Sequence, residues 1–130
     1  MVKFDFEDLL VYQKALEYID FVYNLTEKFP KYEQYGLTSQ FRRASQSIAQ
    51  NIAEEYGETK PLFVRYSRIS KGSIRECVVC TTIAFRRKYI TVDENMESRE
   101  RASEISKISK MLAGLVSYVK SKIVAESKYN

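Results

Sequence analysis

The chain contains no histidine, and this absence removes several classes of enzyme. Serine–histidine and cysteine–histidine nucleophiles cannot form without an imidazole. Cys77 and Cys80 are the two cysteines of the chain, and they cannot complete a zinc site, which normally needs four nitrogen or sulfur ligands. No glycine-rich phosphate loop is present either. The sequence therefore predicts a protein that is not an enzyme and that uses no cofactor and no metal.

Residues that break helices are also scarce, with four glycines and two prolines among 130 residues. This scarcity favours an all-α fold, and the length fits a single domain over residues 1–130. No uncharged run approaches the roughly 20 residues that a membrane-spanning helix needs. The start, "MVKFDFEDLL", lacks the apolar core of a signal peptide, so we expect a cytoplasmic protein.

Apolar residues recur at helical spacing in four segments that are joined by short links. Pro30 ends the first segment and Gly57 the second. Thr91, followed three residues later by Glu94, forms a capping box that opens the fourth. Such a pattern predicts an antiparallel up-down-up-down four-helix bundle, with a frayed tail at 125–130. The predicted helices span about 7–29, 38–56, 60–88 and 92–124.

The apolar face of the first helix is unusually wide, and Phe21 lies on its otherwise polar side. A stripe too broad for one core indicates a second buried contact, so we expect self-association.

The spacing of Cys77 and Cys80 matches a CxxC motif, which can serve in redox chemistry. Redox pairs normally lie at a helix N-terminus, where the thiol pKa is lowered. These two lie deep inside the third helix, and we interpret them as small apolar core residues.

Positive charge is concentrated on the third helix, since residues 58–90 hold eight basic and two acidic side chains. Five of the basic residues repeat near whole helical turns and form a row about 32 Å long. Arginine forks pair well with phosphates, so this row predicts a nucleic-acid-binding face. The predicted binding residues are Arg42, Arg65, Arg68, Lys71, Arg75, Arg86 and Arg87.

Two other interpretations of this basic row remain open. Its arginines could pair with carboxylates of the fourth helix, which would make the row a solvated face. The row could also engage an acidic surface of a partner protein, which would make the chain a scaffold. The carboxylates in question are Glu94, Glu97, Glu100 and Glu104.

Polar side chains also run beside the apolar stripe of the second helix, and the third helix carries a polar pair next to Gly72. We predict that the two sets meet in a structural seam, because a buried carboxylate without a partner is costly. Arg43 or Asn51 would then satisfy a buried Glu76. The predicted seam comprises Arg43, Ser47, Asn51, Glu54, Ser73 and Glu76.

Three stretches resemble, in order, the bacterial four-helix-bundle proteins encoded in intervening sequences of 23S ribosomal RNA genes. They are "FEDLLVYQKALEYIDFVYNLTEKFP", "YEQYGLTSQFRRASQSIAQNIAEEYG" and "YSRISKGSIRE". The accessory variability proteins of diversity-generating retroelements are similar. The chain departs from the family pattern at Glu55 and Lys88, where glycine is common, and at Glu58 and Val78.

The resemblance implies a protomer of a ring-shaped homo-oligomer, typically a pentamer, without enzymatic activity. In the retroelement relatives it implies a basic barrel that binds nucleic acid and a reverse transcriptase. For this chain, the expected partners are therefore further copies of itself, RNA or DNA, and a reverse transcriptase or another protein.

Overall fold

The computed structural model describes residues 1–56 and 60–129, and the side chains of all of these except 60–70, 116, 117, 120 and 129. Within the described residues the secondary structure consists of helices, without strands, so the all-α prediction is confirmed. Four α-helices are present: α1 (Leu10–Thr26), α2 (Leu37–Glu55), α3 (Lys60–Arg86) and α4 (Val92–Tyr129). Two short 3-10 segments, Asp5–Asp8 and Lys31–Glu33, precede α1 and α2.

Helix α1 is shorter than the predicted span of 7–29 because local hydrogen bonds interrupt both of its ends. At its start, a separate 3-10 turn over Asp5–Asp8 stops before Leu9. The Phe4 N–H caps this turn by donating to the Glu7 carboxylate over 2.7 Å. At the other end, the Lys28 and Phe29 N–H groups donate to the carbonyls three residues earlier, of Leu25 and Thr26, over 3.4 and 3.1 Å. Pro30 then disfavours helical geometry in the residue before it.

Helix α3 ends in a Schellman motif built on a residue that is not glycine. Lys88 has a φ of 63°, in the left-handed region. The Tyr89 N–H donates to the Ala84 carbonyl over 2.9 Å, and the Lys88 N–H donates to the Phe85 carbonyl over 3.0 Å. Lys88 therefore takes the backbone conformation that glycine usually supplies at this position.

Helix α4 begins with the predicted capping box and continues beyond the predicted end at 124. The Thr91 N–H donates to Glu94 over 2.8 Å, and the Glu94 N–H donates to the Thr91 hydroxyl over 3.1 Å. The tail predicted to fray is helical in the structure as far as Tyr129. Ala125, Glu126 and Lys128 are good helix formers, and no glycine or proline interrupts them.

The four α-helices pack as a bundle in which each contacts two others. Helix α1 packs against α2 and α4, and helix α3 packs against the same two. The core is contiguous, and its largest fully buried apolar side chains come from α1, α2 and α4. Within its described side chains, 71–86, helix α3 contributes mainly small side chains to the core. The apolar core residues with at most 1% exposure are Ala15, Tyr18, Val22, Phe41, Ile48, Cys77, Cys80, Ala84, Ala102 and Ile105.

Phe21, predicted to need a contact outside the protomer, is covered within the chain. Its ring stacks on Tyr18 at a centroid distance of 6.2 Å, and the Arg101 guanidinium lies 5.3 Å from its centre. Lys14 on the same side pairs with Glu104 of α4 over 3.5 Å. This side of α1 therefore faces α4, and Phe21 does not by itself argue for self-association.

Gly72 on α3 is not a point of close approach to a neighbouring helix. Gly72 is exposed, and a methyl group added there would meet no other atom within 4 Å. The close contact lies one residue later, where Ser73 is buried.

None of the helices in the described part of the chain combines the length and the hydropathy that crossing a bilayer requires.

Candidate nucleic-acid interface

The basic row on α3 is accessible to solvent wherever the structure describes its side chains. Arg75, Arg86 and Arg87 are exposed, and Lys71 is half-buried. Arg65 and Arg68, the other predicted members, lie outside the described side chains. Arg75 and Arg86 are 11 positions apart, about three helical turns, so they share one face of α3 about 16 Å apart along the axis.

Three of the four carboxylates of α4 that could have neutralised this row pair with other cations. Glu94 pairs with Lys28, two residues beyond the end of α1, and Glu104 pairs with Lys14 of α1. Glu97 pairs with Arg101 of its own helix over 3.1 Å. Among the described side chains, no ion pair joins these three glutamates to a cation of α3. The geometry therefore does not favour the interpretation of the row as a face neutralised by α4.

Glu94 takes part in both the capping box and the pair with Lys28, and this affects its acidity. Partial burial opposes its ionisation. The Lys28 ammonium and the Thr91 backbone N–H outweigh that effect and hold the pKa of Glu94 below its usual value. The carboxylate therefore stays ionised at neutral pH, and it joins the start of α4 to the end of α1.

Arg99 of α4 belongs to the same basic surface, although sequence reasoning missed it. Its Nη2 donates to the Thr82 hydroxyl of α3 over 2.6 Å, and its Nε donates to Asn95 Oδ1 over 3.1 Å. Thr82 lies between Arg75 and Arg86 on α3, where the basic row is interrupted. Arg99 therefore supplies a cation at the gap from a different helix, which spacing along α3 could not reveal.

Arg42, predicted as a further member, is held against α1. Its Nε donates to the Thr26 hydroxyl over 2.9 Å, and its guanidinium lies 4.5 Å from the centre of the Tyr23 ring. The side chain is half-buried by these contacts. The structure thus places Arg42 at the α1–α2 contact and does not bring it to the row on α3.

Apolar side chains share the basic face of α3. Val79 is 55% exposed and Ile83 39% exposed, and both lie between Arg75 and Arg86. Exposed aliphatic groups flanked by arginines are more typical of a protein interface than of a purely phosphate-binding surface. This feature keeps the scaffold alternative open.

The predicted seam between α2 and α3 exists, but it is built from fewer residues than expected. The buried Ser73 hydroxyl donates to the Ser47 hydroxyl over 2.9 Å, and the Asn51 amide donates to the same oxygen over 3.2 Å. The predicted role of Glu76 is wrong, because Glu76 is exposed and water can solvate its carboxylate. Arg43 and Glu54 are exposed as well.

Cys77 and Cys80 are core residues, as interpreted from the sequence, with 0% and 1% exposure. Burial raises the pKa of the Cys77 thiol to about 12 and that of Cys80 to about 11. Thiols in this state are poor nucleophiles and poor ligands. In the described part of the chain, no group of three or more acidic or cysteine side chains is arranged to hold a metal.

A second polar contact, between α1, α3 and α4, was missed by sequence reasoning. Tyr18 lies 2.9 Å from the Ser98 hydroxyl, Ser98 lies 2.7 Å from the Thr81 hydroxyl, and Thr81 donates to the Cys77 carbonyl over 2.8 Å. A hydroxyl has one hydrogen, so Ser98 must donate to Thr81 and Tyr18 must donate to Ser98. All three side chains have 0% exposure. A polar residue inside an apolar stripe, as at Thr81 and Ser98, was the available signal.

These observations define a class: an all-helical bundle with a mixed basic and apolar face and two buried cysteines whose thiols stay protonated. The family model for the 23S rRNA-intervening sequence protein matches residues 7–114, and the chain belongs to this family. No curated protein matches the chain.

Six solved chains match, and one of them is a protein with unknown function from the S23 ribosomal protein family of Bacteroides thetaiotaomicron VPI-5482. It superposes with a TM-score of 0.73 at 22% identity, covering 80% of this chain and 98% of that one. At this identity the similarity supports the fold alone.

Proposed function

We propose that the chain is a non-enzymatic accessory protein that binds nucleic acid through the basic face of α3. The observation that carries this proposal is the position of Arg75 and Arg86, which are exposed on one face with Arg99 reaching between them. Three of the nearby carboxylates on α4 pair elsewhere, so these guanidinium groups remain available to phosphates. The mechanism would be phosphate neutralisation with release of counterions.

The test is a salt titration with mixed-sequence RNA and DNA, as single strands and as duplexes. The slope of log affinity against log salt is negative, and in the variant with Arg75→Glu and Arg86→Glu it should become shallower by about 2. Each lost phosphate contact reduces the size of the slope by roughly 1. The matched control reverses two exposed lysines of α4, Lys107 and Lys128. If the arginine variant binds as tightly as the unmodified protein, the site assignment is wrong.

A scaffold that binds an acidic protein partner is the second candidate, favoured by the exposed Val79 and Ile83. A scaffold would bind neither RNA nor DNA at low salt. Replacing Val79 and Ile83 by serine separates the two candidates further. Phosphate binding should survive this change, whereas a protein interface should lose affinity together with its apolar centre.

We further propose that the protomer is an antiparallel up-down-up-down four-helix bundle that assembles into a ring, with five copies by the family resemblance. Support comes from an apolar groove of about 600 Å³ between the start of α1 and α4. Leu10, Met111 and Leu115 at this groove are 60%, 74% and 58% exposed. Exposed apolar surface on this scale is typical of an interaction site.

Light scattering at micromolar concentration tests the assembly. The unmodified protein should be an oligomer, and Met111→Glu with Leu115→Glu should dissociate it, because a buried unpaired charge is costly. Met96→Glu, at an exposed methionine near the start of α4, is the control. An unmodified protein that is monomeric would contradict the ring.

A further inference from the structure

Two tyrosines at one end of the bundle are almost fully accessible. Tyr32 is 78% exposed and Tyr35 is 91% exposed, both in the connection between α1 and α2. Tyrosine usually places its ring at least partly in an apolar contact, since the ring carries a large apolar area. Two neighbouring rings that remain in water therefore call for an explanation.

The exposed rings are carried by a segment with closely spaced backbone hydrogen bonds. Three N–H groups, of Glu33, Gln34 and Gly36, each donate to the carbonyl three residues earlier, over 2.9 to 3.0 Å. Tyr32 lies within the 3-10 segment Lys31–Glu33, and Tyr35 follows two residues after it, just before the Gly36 N–H that closes the turn onto the Glu33 carbonyl. Both rings are thus carried by one hydrogen-bonded turn, so binding would add little further cost in ordering the backbone.

The Tyr32 ring is also oriented through its hydroxyl group. Tyr89, from the connection between α3 and α4, donates to Glu33 Oε2 over 3.1 Å. Its single hydrogen is then used, so Tyr32 donates to the Tyr89 oxygen over 2.9 Å. The Tyr89 ring packs at 5.4 Å on Phe29, which is buried. This chain of contacts anchors Tyr32 to the core through its hydroxyl while leaving its face in solvent.

Cations lie close in the chain to Tyr32 and to its hydrogen-bond partner Tyr89, which follows the end of α3. Lys31 adjoins Tyr32 in the chain, and the exposed Arg87 and Lys88 adjoin Tyr89. Two carboxylates near this end, Glu27 and Asp93, are exposed as well. Together with Glu33 they balance the charges of Lys31, Arg87 and Lys88, so charge alone would hold a nucleic acid weakly there, and stacking would supply the rest.

From this geometry we propose that Tyr32 and Tyr35 form a stacking platform for unpaired bases, so that the nucleic acid bound by this protein is single-stranded. The inference rests on the proposed function and adds a ligand class and two residues to it. Phosphates would follow the arginines of α3 to Arg86, and the bases beyond would stack on the two rings. Aromatic platforms beside a basic track are how proteins hold single strands without reading their sequence.

The experiment compares the unmodified protein with a variant carrying Tyr32→Ala and Tyr35→Ala, using a mixed-sequence single strand and its duplex. Affinity for the single strand should fall about fivefold or more for each ring. Affinity for the duplex should change by less than twofold. The salt slope should stay the same, because it counts phosphate contacts, which the rings do not make.

Two matched variants and one optical signal sharpen the result. Tyr118→Ala removes another exposed tyrosine, on α4, and should change neither affinity. Tyr32→Phe keeps the ring and should retain most of the single-strand affinity. The chain has no tryptophan, so stacking should quench its tyrosine fluorescence, and the double variant should lose part of that quenching.

The possible failures are distinguishable. If the unmodified protein binds no nucleic acid at low salt, the proposed function fails and the platform fails with it. If it binds, and the double variant loses duplex and single-strand affinity equally or loses neither, the platform alone is overturned. A change in oligomeric state without any change in single-strand affinity would also overturn it, by assigning the tyrosines to a protein contact.

Discussion

The bundle contains two polar contacts between helices, and they differ in how completely water is excluded. The seam at Ser47, Ser73 and Asn51 joins α2 to α3, and its acceptor Ser47 is half-buried. The chain of hydroxyls from Tyr18 through Ser98 joins α1 to α4 and reaches α3, with 0% exposure at both residues. Both are hydrogen-bonded, but water can replace a lost partner more readily in the seam.

This difference decides how much each contact should contribute to stability. A buried hydroxyl that loses its acceptor bears its full desolvation cost, whereas one near solvent recovers a hydrogen bond from water. Burial also raises the pKa of Tyr18 above its usual value, so its hydroxyl stays protonated and remains a donor. The inner contact should therefore control the register of three helices, and the seam should contribute less.

The largest effect is expected from Ser98→Ala. This change removes the acceptor of the Tyr18 hydroxyl in a site without water access, and the free energy of unfolding should fall by about 1–3 kcal/mol. Chemical denaturation monitored by circular dichroism measures it. Ser103→Ala, at an exposed serine of the same helix, should stay within about 0.5 kcal/mol. Equal effects of the two variants would show that the inner contact carries no special weight.

A smaller effect of opposite sign is expected beside the seam, from Gly72→Ala. The new methyl group meets open space, and alanine is the better helix former, so stability should rise by about 0.5–1 kcal/mol. The melting temperature of the variant provides the measurement. Gly36→Ala is the contrasting case, because its methyl group would lie 2.9 Å from Glu33 Oε1. A loss of stability in Gly72→Ala would mean that α3 approaches a neighbour there.

The smallest effect is expected from Ser47→Ala in the seam itself. Ser73 and Asn51 lose their shared acceptor, but the higher helix propensity of alanine offsets part of the loss. The net destabilisation should be about 0.5 kcal/mol, measured in the same denaturation experiment. Gln50→Ala, at an exposed position of α2, is the control. If Ser47→Ala cost as much as Ser98→Ala, the comparison between the two contacts would be wrong.

Sequence reasoning finds polar contacts that form a row along one helix, as in the seam. It misses contacts made by single polar residues from several helices, as in the inner contact. A row of polar residues beside an apolar stripe is visible as a pattern in the sequence, so the pattern predicts that Ser47 and Ser73 belong to a polar contact. Thr81 and Ser98 are single polar residues inside apolar stripes, and they become meaningful once Tyr18 of a third helix is known to reach them. Glu76 was misjudged because periodicity does not fix the rotation of α3 relative to α2.

By itself, the sequence determined the helical class, the capping box at Thr91, the buried cysteines and the concentration of positive charge on α3. These features depend on local propensity and on residues close together in the chain. The tertiary structure alone decided that Arg99 joins the basic face, that Arg42 leaves it and that Tyr89 orients Tyr32. Each of these depends on where side chains from different helices meet, which spacing along one helix does not encode.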